Sequence, residues 1–127
     1  MGCCKTQGLE NTQHKGMCMK ESIKVLDECK ETQIKKGQDY QNAYSNIRQA
    51  DYYPNGCASI LDMMNTKMLR LRSIVEANQN DPNFEQNYES LEDSAKDLIN
   101  YASFFVEYYR GKMDGQDPDK NFLNRRK

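Results

Sequence analysis

The chain has 127 residues, 29 % of them charged, and a formal net charge of −1. That length makes one domain able to bury a core without staples, and the near-neutral balance gives no overall pull toward nucleic acid or acidic membranes. Mean hydropathy is −0.99, which suits helices that bury only a narrow stripe, and no segment approaches the roughly 18 apolar residues of a membrane span.

Residues 1–19 read as a flexible, lipidated arm. They lack the apolar stretch of a cleavable secretory signal, so none is expected. "MGCCKT" fits the N-myristoylation pattern, with Gly2 as acceptor and Thr6 at the sixth position. The acylated group is a bare α-amine in a tight pocket, where a side chain would clash. One myristoyl chain gives only marginal, reversible membrane binding, and stable anchoring takes a second signal. Cys3 and Cys4 are thiols suitably placed for S-palmitoylation. Over these residues the chain resembles the eukaryotic class of dually acylated, membrane-anchored proteins that begin Met-Gly-Cys-Cys, among them signalling scaffolds and endosomal adaptors. The resemblance implies lipids on Gly2, Cys3 and Cys4 and a place on the cytoplasmic face of a membrane.

A three-helix domain is expected over residues 20–110. The first helix, about 20–50, starts a stripe at Met19, Ile23 and Leu26 and finishes one at Tyr40, Tyr44 and Ile47. Lys30, Gln33 and Gly37 interrupt it, so a soft or bent middle is expected. "YYPNG" is a turn signal. The second helix, about 57–77, carries Cys57, Leu61, Met64, Met68, Leu71 and Val75 on one face. "NDPNF" places Asp81 as an N-cap and Pro82 at the first helical position. The third helix, about 83–110, then runs through Phe84, Tyr88, Leu91, Ala95, Leu98, Ala102, Phe105 and Tyr109. Both stripes average about 3.5 residues, the coiled-coil repeat, which a plain helical bundle also produces. Acids early in the third helix and cations late match its dipole, and Gly111 is the expected stop. Residues 111–127 form a polar, turn-rich tail with Phe122 and Leu123 to dock it.

The fold class is therefore all-α: an up-down-up three-helix bundle or antiparallel coiled coil, with a flexible N-terminal arm and a C-terminal tail. Two long helices in a hairpin, with the third packed on a partner, is the alternative. In the bundle the arm and the Tyr52/Tyr53 turn lie at opposite ends. The tail can reach roughly 50 Å, enough to fold back and bring Arg125, Arg126 and Lys127 to a bilayer.

Chemistry is sparse. The one histidine, His14, lies in a polar arm without a triad pattern. No phosphate loop or metal motif occurs, so no enzyme activity and no cofactor are expected. Cys3, Cys4, His14 and Cys18 match no zinc-knuckle spacing. Cys18 and Cys29, eleven apart, resemble the twin-cysteine hairpins of the mitochondrial intermembrane space, but Met68 stands where the partner of Cys57 belongs. Reduced, buried cysteines are the simpler expectation. Partner contacts are expected at Tyr52, Tyr53, Met63, Lys67 and Arg70. Capping of the core by the tyrosines, core packing by Met63, Met64 and Met68, and solvation of Lys67, Arg70 and Arg72 are the plainer readings. The expectation is a non-enzymatic, lipid-anchored adaptor or scaffold on the cytoplasmic face of a eukaryotic membrane, binding proteins through helix faces. The alternative is a small structural subunit of a ciliary, cytoskeletal or mitochondrial assembly.

Overall fold

The computed structural model describes residues 20–87 and 89–124; Gly2, Cys3, Cys4, His14 and Cys18 lie outside them. Three long helices, α1 (Glu21–Tyr40), α2 (Cys57–Asn80) and α3 (Leu91–Tyr109), make an all-α bundle, with no strand among the described residues. α3 is the central element: α2 packs closely along it, α1 packs against it over a shorter stretch, and α1 and α2 share little contact. The Cys57 thiol reaches the Phe105 carbonyl while Arg70 meets Ser94, so α2 runs antiparallel to α3. Cys29 meets Lys96 and Gln33 meets Ser103, so α1 runs parallel to it.

α1 stops at Tyr40 rather than near residue 50, for a local reason. Asn42 Oδ1 accepts from the Tyr44 N–H and Ser45 Oγ from the Ile47 N–H, so short polar side chains take backbone donors that a helix would use. The stripe expected through Tyr44 and Ile47 is thus not a helix face; Tyr44 is 99 % exposed. No break occurs at Lys30, Gln33 or Gly37. After a single 3₁₀ turn (Gln49–Tyr52), Gly56 takes φ +62 ahead of α2, as the Pro-Asn-Gly turn signal requires.

α2 runs three residues beyond the expected 77, with the Asn78 and Asn80 side chains donating to the Ile74 and Glu76 carbonyls. α3 begins at Leu91, not 83. Asp81 turns its carboxylate to the Asn83 N–H, and Ser90 is the N-cap, its hydroxyl accepting from the Asp93 N–H at 3.0 Å. Phe84 therefore lies outside α3, 38 % exposed. Gly111, at φ +75, ends α3 as expected.

The tail is not a loose strap. Gln116 Nε2 donates to the Tyr108 carbonyl and Asn121 Nδ2 to the Tyr109 carbonyl, so side chains of the tail cap the orphan carbonyls at the end of α3. Met113 is buried, the Ala50 N–H donates to the Asp114 carbonyl, and Arg48 grips the Asp114 carboxylate with two bonds of 2.6 and 2.8 Å. Phe122 and Leu123, the expected docking residues, are 42 % and 47 % exposed. With Asn121 tied to the end of α3, residues 112–121 do not fold back along the bundle; Arg125–Lys127 lie outside the described residues.

The core sits at this one end of the bundle. Ala50, Tyr53, Cys57, Ile60, Tyr108 and Met113 are buried together, with Met64, Tyr101, Phe104 and Phe105 packed against them. Each large apolar side chain removed from water there contributes about 1.5–3 kcal/mol. Further along, the seam between α2 and α3 is polar as well as apolar, and the side chains that fill it differ from the expected stripes. On α2 the covered positions are Cys57, Ile60, Met64, Lys67, Leu71 and Ile74; Leu61, Met68 and Val75 are 42–54 % exposed. On α3 they include Ser94, Asp97, Tyr101, Phe105 and Tyr108.

Cys29 and Cys57 are free thiols, both buried, and burial pushes each thiol up from its ordinary range. In a variant with Cys3, Cys4 and Cys18 changed to serine, Ellman's reagent is expected to titrate neither thiol until denaturant is added, because buried, protonated sulfur is inert. Prompt release of one equivalent in buffer would contradict this packing.

Candidate functional site

Between α1 and α2, on one flank of α3, a band of paired charges and amides runs up to a cavity. Its centre is Asp97. Lys67 Nζ lies 2.9 Å from Asp97 Oδ2, and Lys36 Nζ lies 3.5 Å from Oδ1. Lys67 also bonds both oxygens of Glu89 at 3.2 Å. Arg70 completes the network, its Nε donating to Ser94 Oγ at 2.8 Å and its terminal nitrogen to the Glu89 carbonyl. All three helices therefore meet at one carboxylate. Burial opposes ionisation of Asp97, but hydrogen bonds from the neighbouring Glu89 carboxyl and from Lys67, with the charges of Lys36 and Lys67, outweigh it and hold its carboxyl below the usual range. Lys67 is likewise held above its ordinary range: burial works against its charge, and the bonds to Asp97 and Glu89 prevail.

Amide chemistry joins α1 to α3. Asn100 is 9 % exposed; its Nδ2 donates to the Cys29 carbonyl at 3.2 Å, and its Oδ1 accepts from Gln33 Nε2 at 3.1 Å. Gln33 also donates to Ser103 Oγ. A buried amide so satisfied specifies register as well as adding stability. At the outer edge Lys96 bridges Glu28 and Glu92 at 2.7 and 2.8 Å.

Above Asp97 opens a cavity of about 170 Å³, bounded by the last turns of α1, the 3₁₀ turn and α3. Tyr40 and Tyr52 line it, half-exposed, with ring centroids 5.4 Å apart, and the Tyr52 hydroxyl donates to the Tyr40 carbonyl. Deeper lie Tyr53, Tyr101 and Phe104, with Phe104 6.3 Å from Tyr53 and edge-on to Tyr101 at 5.9 Å. Tyr53 is 9 % exposed, and burial pushes its hydroxyl far above the ordinary range, so it stays protonated. Burial raises Glu107 too, against the bond it accepts from Gln49.

The five described residues expected to meet partners separate accordingly. Tyr52 stays half-exposed, at the cavity; Tyr53 caps the core. Met63 is 37 % exposed on α2. Lys67 and Arg70 do not form a free basic patch: both turn inward onto Glu89, with Asp97 and Ser94 as their further partners. Arg72 pairs with Glu76 one turn on. Sequence reasoning passed over Asp97, Glu89, Gln33 and Asn100. One signal was available: Ser94, Asp97, Tyr101, Phe104 and Tyr108 repeat the 3-4 alternation, but a search for apolar residues alone skips it. Among the described residues no group of His, Cys, Asp and Glu is arranged to hold a metal ion, and no helix is long and apolar enough to cross a membrane.

No family model, no curated protein and no solved structure matches the chain.

Proposed function

We propose that the protein is a non-enzymatic helical adaptor held at the cytoplasmic face of a membrane by acyl groups on Gly2, Cys3 and Cys4, and that its helix faces engage protein partners. The observation that carries this reading is the acceptor glycine followed at once by two thiols, with Thr6 at the sixth position. Two lipids are what stable anchoring takes. The helix faces support the second half. Ile23, Leu26 and Ile34 fall on one side of α1, and Leu61, Met68 and Val75 on one side of α2. All six are 42–54 % exposed. Apolar side chains left in helical register are the anchors a helix-to-helix contact uses.

In a eukaryotic host, a myristate analogue is expected to label the wild-type chain and not Gly2→Ala. Cys3→Ala/Cys4→Ala is expected to keep the label and move from the membrane to the soluble fraction. An unlabelled wild type would overturn the anchored reading. The same exposed stripes support a second reading, a small structural subunit whose helix faces pair with other chains. A monodisperse monomer purified without partners would count against that one.

A further inference from the structure

The cavity above Asp97 has a ring-sized volume and a chemistry that selects its occupant. At about 170 Å³ it is comparable with the roughly 150 Å³ apolar cavity that takes one benzene ring. It is too small for a cofactor, whose pockets run to about 300–1,000 Å³, and large enough for a single side chain. Its walls carry the aromatic side chains of Tyr40, Tyr52, Tyr53, Tyr101 and Phe104 beside amides and the charged Lys36 and Asp97.

Charge narrows the choice. A cation would meet an aromatic box, which alone favours it, but Lys36 lines the cavity and Lys67 sits 2.9 Å behind on Asp97, so two ammonium groups oppose it. An anion would meet the Asp97 carboxylate, itself a lining group. With Glu89, which also holds Lys67, two ammonium groups face two carboxylates, the charges answer one another, and a neutral group enters at least electrostatic cost.

Hydrogen bonding narrows it further. Tyr53 is nine-tenths buried and lines the cavity, yet its hydroxyl bonds no group among the described residues. Nor is it sealed in the protein interior, since the described residues hold one fully buried, unpaired side-chain polar atom, Asn121 Oδ1. A tyrosine hydroxyl so placed has water alone as its partner and can exchange it for an acceptor that enters the cavity. Tyr101, half-buried, also lines the cavity, and its hydroxyl bonds no group among the described residues. The occupant is thus neutral, ring-sized and rich in acceptors.

We propose that this cavity receives a prolyl ring of a proline-rich protein segment in the polyproline II conformation. The prolyl ring packs on the tyrosine faces. Its tertiary amide has a carbonyl acceptor and no N–H, so the Tyr53 and Tyr101 hydroxyls are satisfied and no donor of the peptide is stranded. The half-exposed Tyr40–Tyr52 pair continues the aromatic surface at the cavity edge. A second ring of the peptide, about 9 Å along its three-residue turn, packs there. Such a segment is already extended when free, so little conformational entropy is lost on docking. The inference deepens the adaptor reading and rests on it only for the expectation of a protein partner; acyl anchoring is not needed for it.

The test is a ¹⁵N–¹H titration of the full chain with a proline decamer. An alanine-substituted peptide, in which every second proline is replaced, is the control. Saturable shifts are expected at residues around the cavity, with the control markedly weaker. Tyr53→Phe, which deletes only the hydroxyl, is expected to weaken binding roughly five- to tenfold. Gly37 lines the cavity from a helical position, and a Cβ there meets nothing closer than Gln41 Oε1 at 3.8 Å. Gly37→Leu is therefore expected to fill the cavity and abolish binding while the chain keeps its fold and its melting temperature holds or rises. No saturable shift at millimolar decamer would overturn the proposal, as would unchanged binding by Gly37→Leu. Neither result touches lipid labelling at Gly2, so failure here and failure of the anchored reading are read apart.

Discussion

Replacing Tyr108 with alanine is expected to lower stability by about 3–5 kcal/mol, read as a fall in the urea midpoint without a change in slope. Tyr108 is 1 % exposed and the largest fully buried side chain among the described residues. It packs with residues from the 3₁₀ turn, the start of α2 and the tail, so its removal leaves a cavity that no one element can close. Gly56 shows how tight the site is: a Cβ there would lie 2.8 Å from Tyr108 Cε1, at a φ of +62 that side chains avoid. Tyr44→Ala, at a residue 99 % exposed, is the control and is expected to change stability by no more than about 0.5 kcal/mol. Similar losses from the two variants would refute a core gathered at this end of the bundle.

Asp97→Asn is expected to destabilise the chain at neutral pH by about 1–3 kcal/mol. Breaking a fully buried pair costs about 3–5 kcal/mol, and the partial exposure here reduces it. The side chains of Lys67 and Asp97 are 17 % and 18 % exposed, so the lysine left behind keeps Glu89 and some water. The pH dependence has a definite sign. The folded-state pKa of Asp97 lies below its unfolded value, so between the two the unfolded chain binds more protons. The stabilisation is complete above the ordinary aspartate pKa of about 3.9 and is lost as pH falls through the lower folded value. Wild type is expected to lose stability faster than Asp97→Asn as pH drops from about 5 toward 2. Parallel profiles would mean that Asp97 is not the acid joining the helices. In a double-mutant cycle, Lys67→Met should recover part of the loss, because the ammonium that has lost one of its two carboxylates no longer has to be held in the seam.

These two residues also show where reading the sequence succeeded and where it failed. Tyr108 and Asp97 lie on the face of α3 that carries Ser94 and Tyr101. The expected stripe through Leu91, Ala95, Leu98, Ala102 and Phe105 is half-buried too, but it ran one residue over from the fully buried Ser94 and Tyr108 and ended on the exposed Tyr109, because every member of that stripe is apolar or aromatic. On α2 the same slip chose Leu61, Met68 and Val75 over Ile60, Lys67 and Ile74. Two stripes with identical 3-4 spacing overlap on each helix, and periodicity cannot choose between them. A lone Lys67 or Asp97 is a poor seam residue, since burying either charge unpaired is costly. Placed 2.9 Å apart across the seam, each removes the other's penalty. The candidate cavity was legible only in part. "DYYPNG" pointed to Tyr52 and Tyr53, whereas Gln33, Asp97, Asn100 and Tyr101 join it from about 20 to 50 residues away in the chain.

Local chemistry was enough to determine the all-α class, the existence of three helices, the turn at Pro54–Gly56, the start of α2 and the stop at Gly111. Each depends on neighbours within a few residues: spacing, a proline, a glycine able to take positive φ. Tertiary structure alone decided which stripe of each helix is covered, that Lys67 and Arg70 turn inward, and that residues 112–121 clamp the end of α3. The reason is common to all three. A charge, an amide or a methionine in a polar tail gains its stabilising partner from another element, and the spacing of apolar residues along the chain does not show which polar groups will meet.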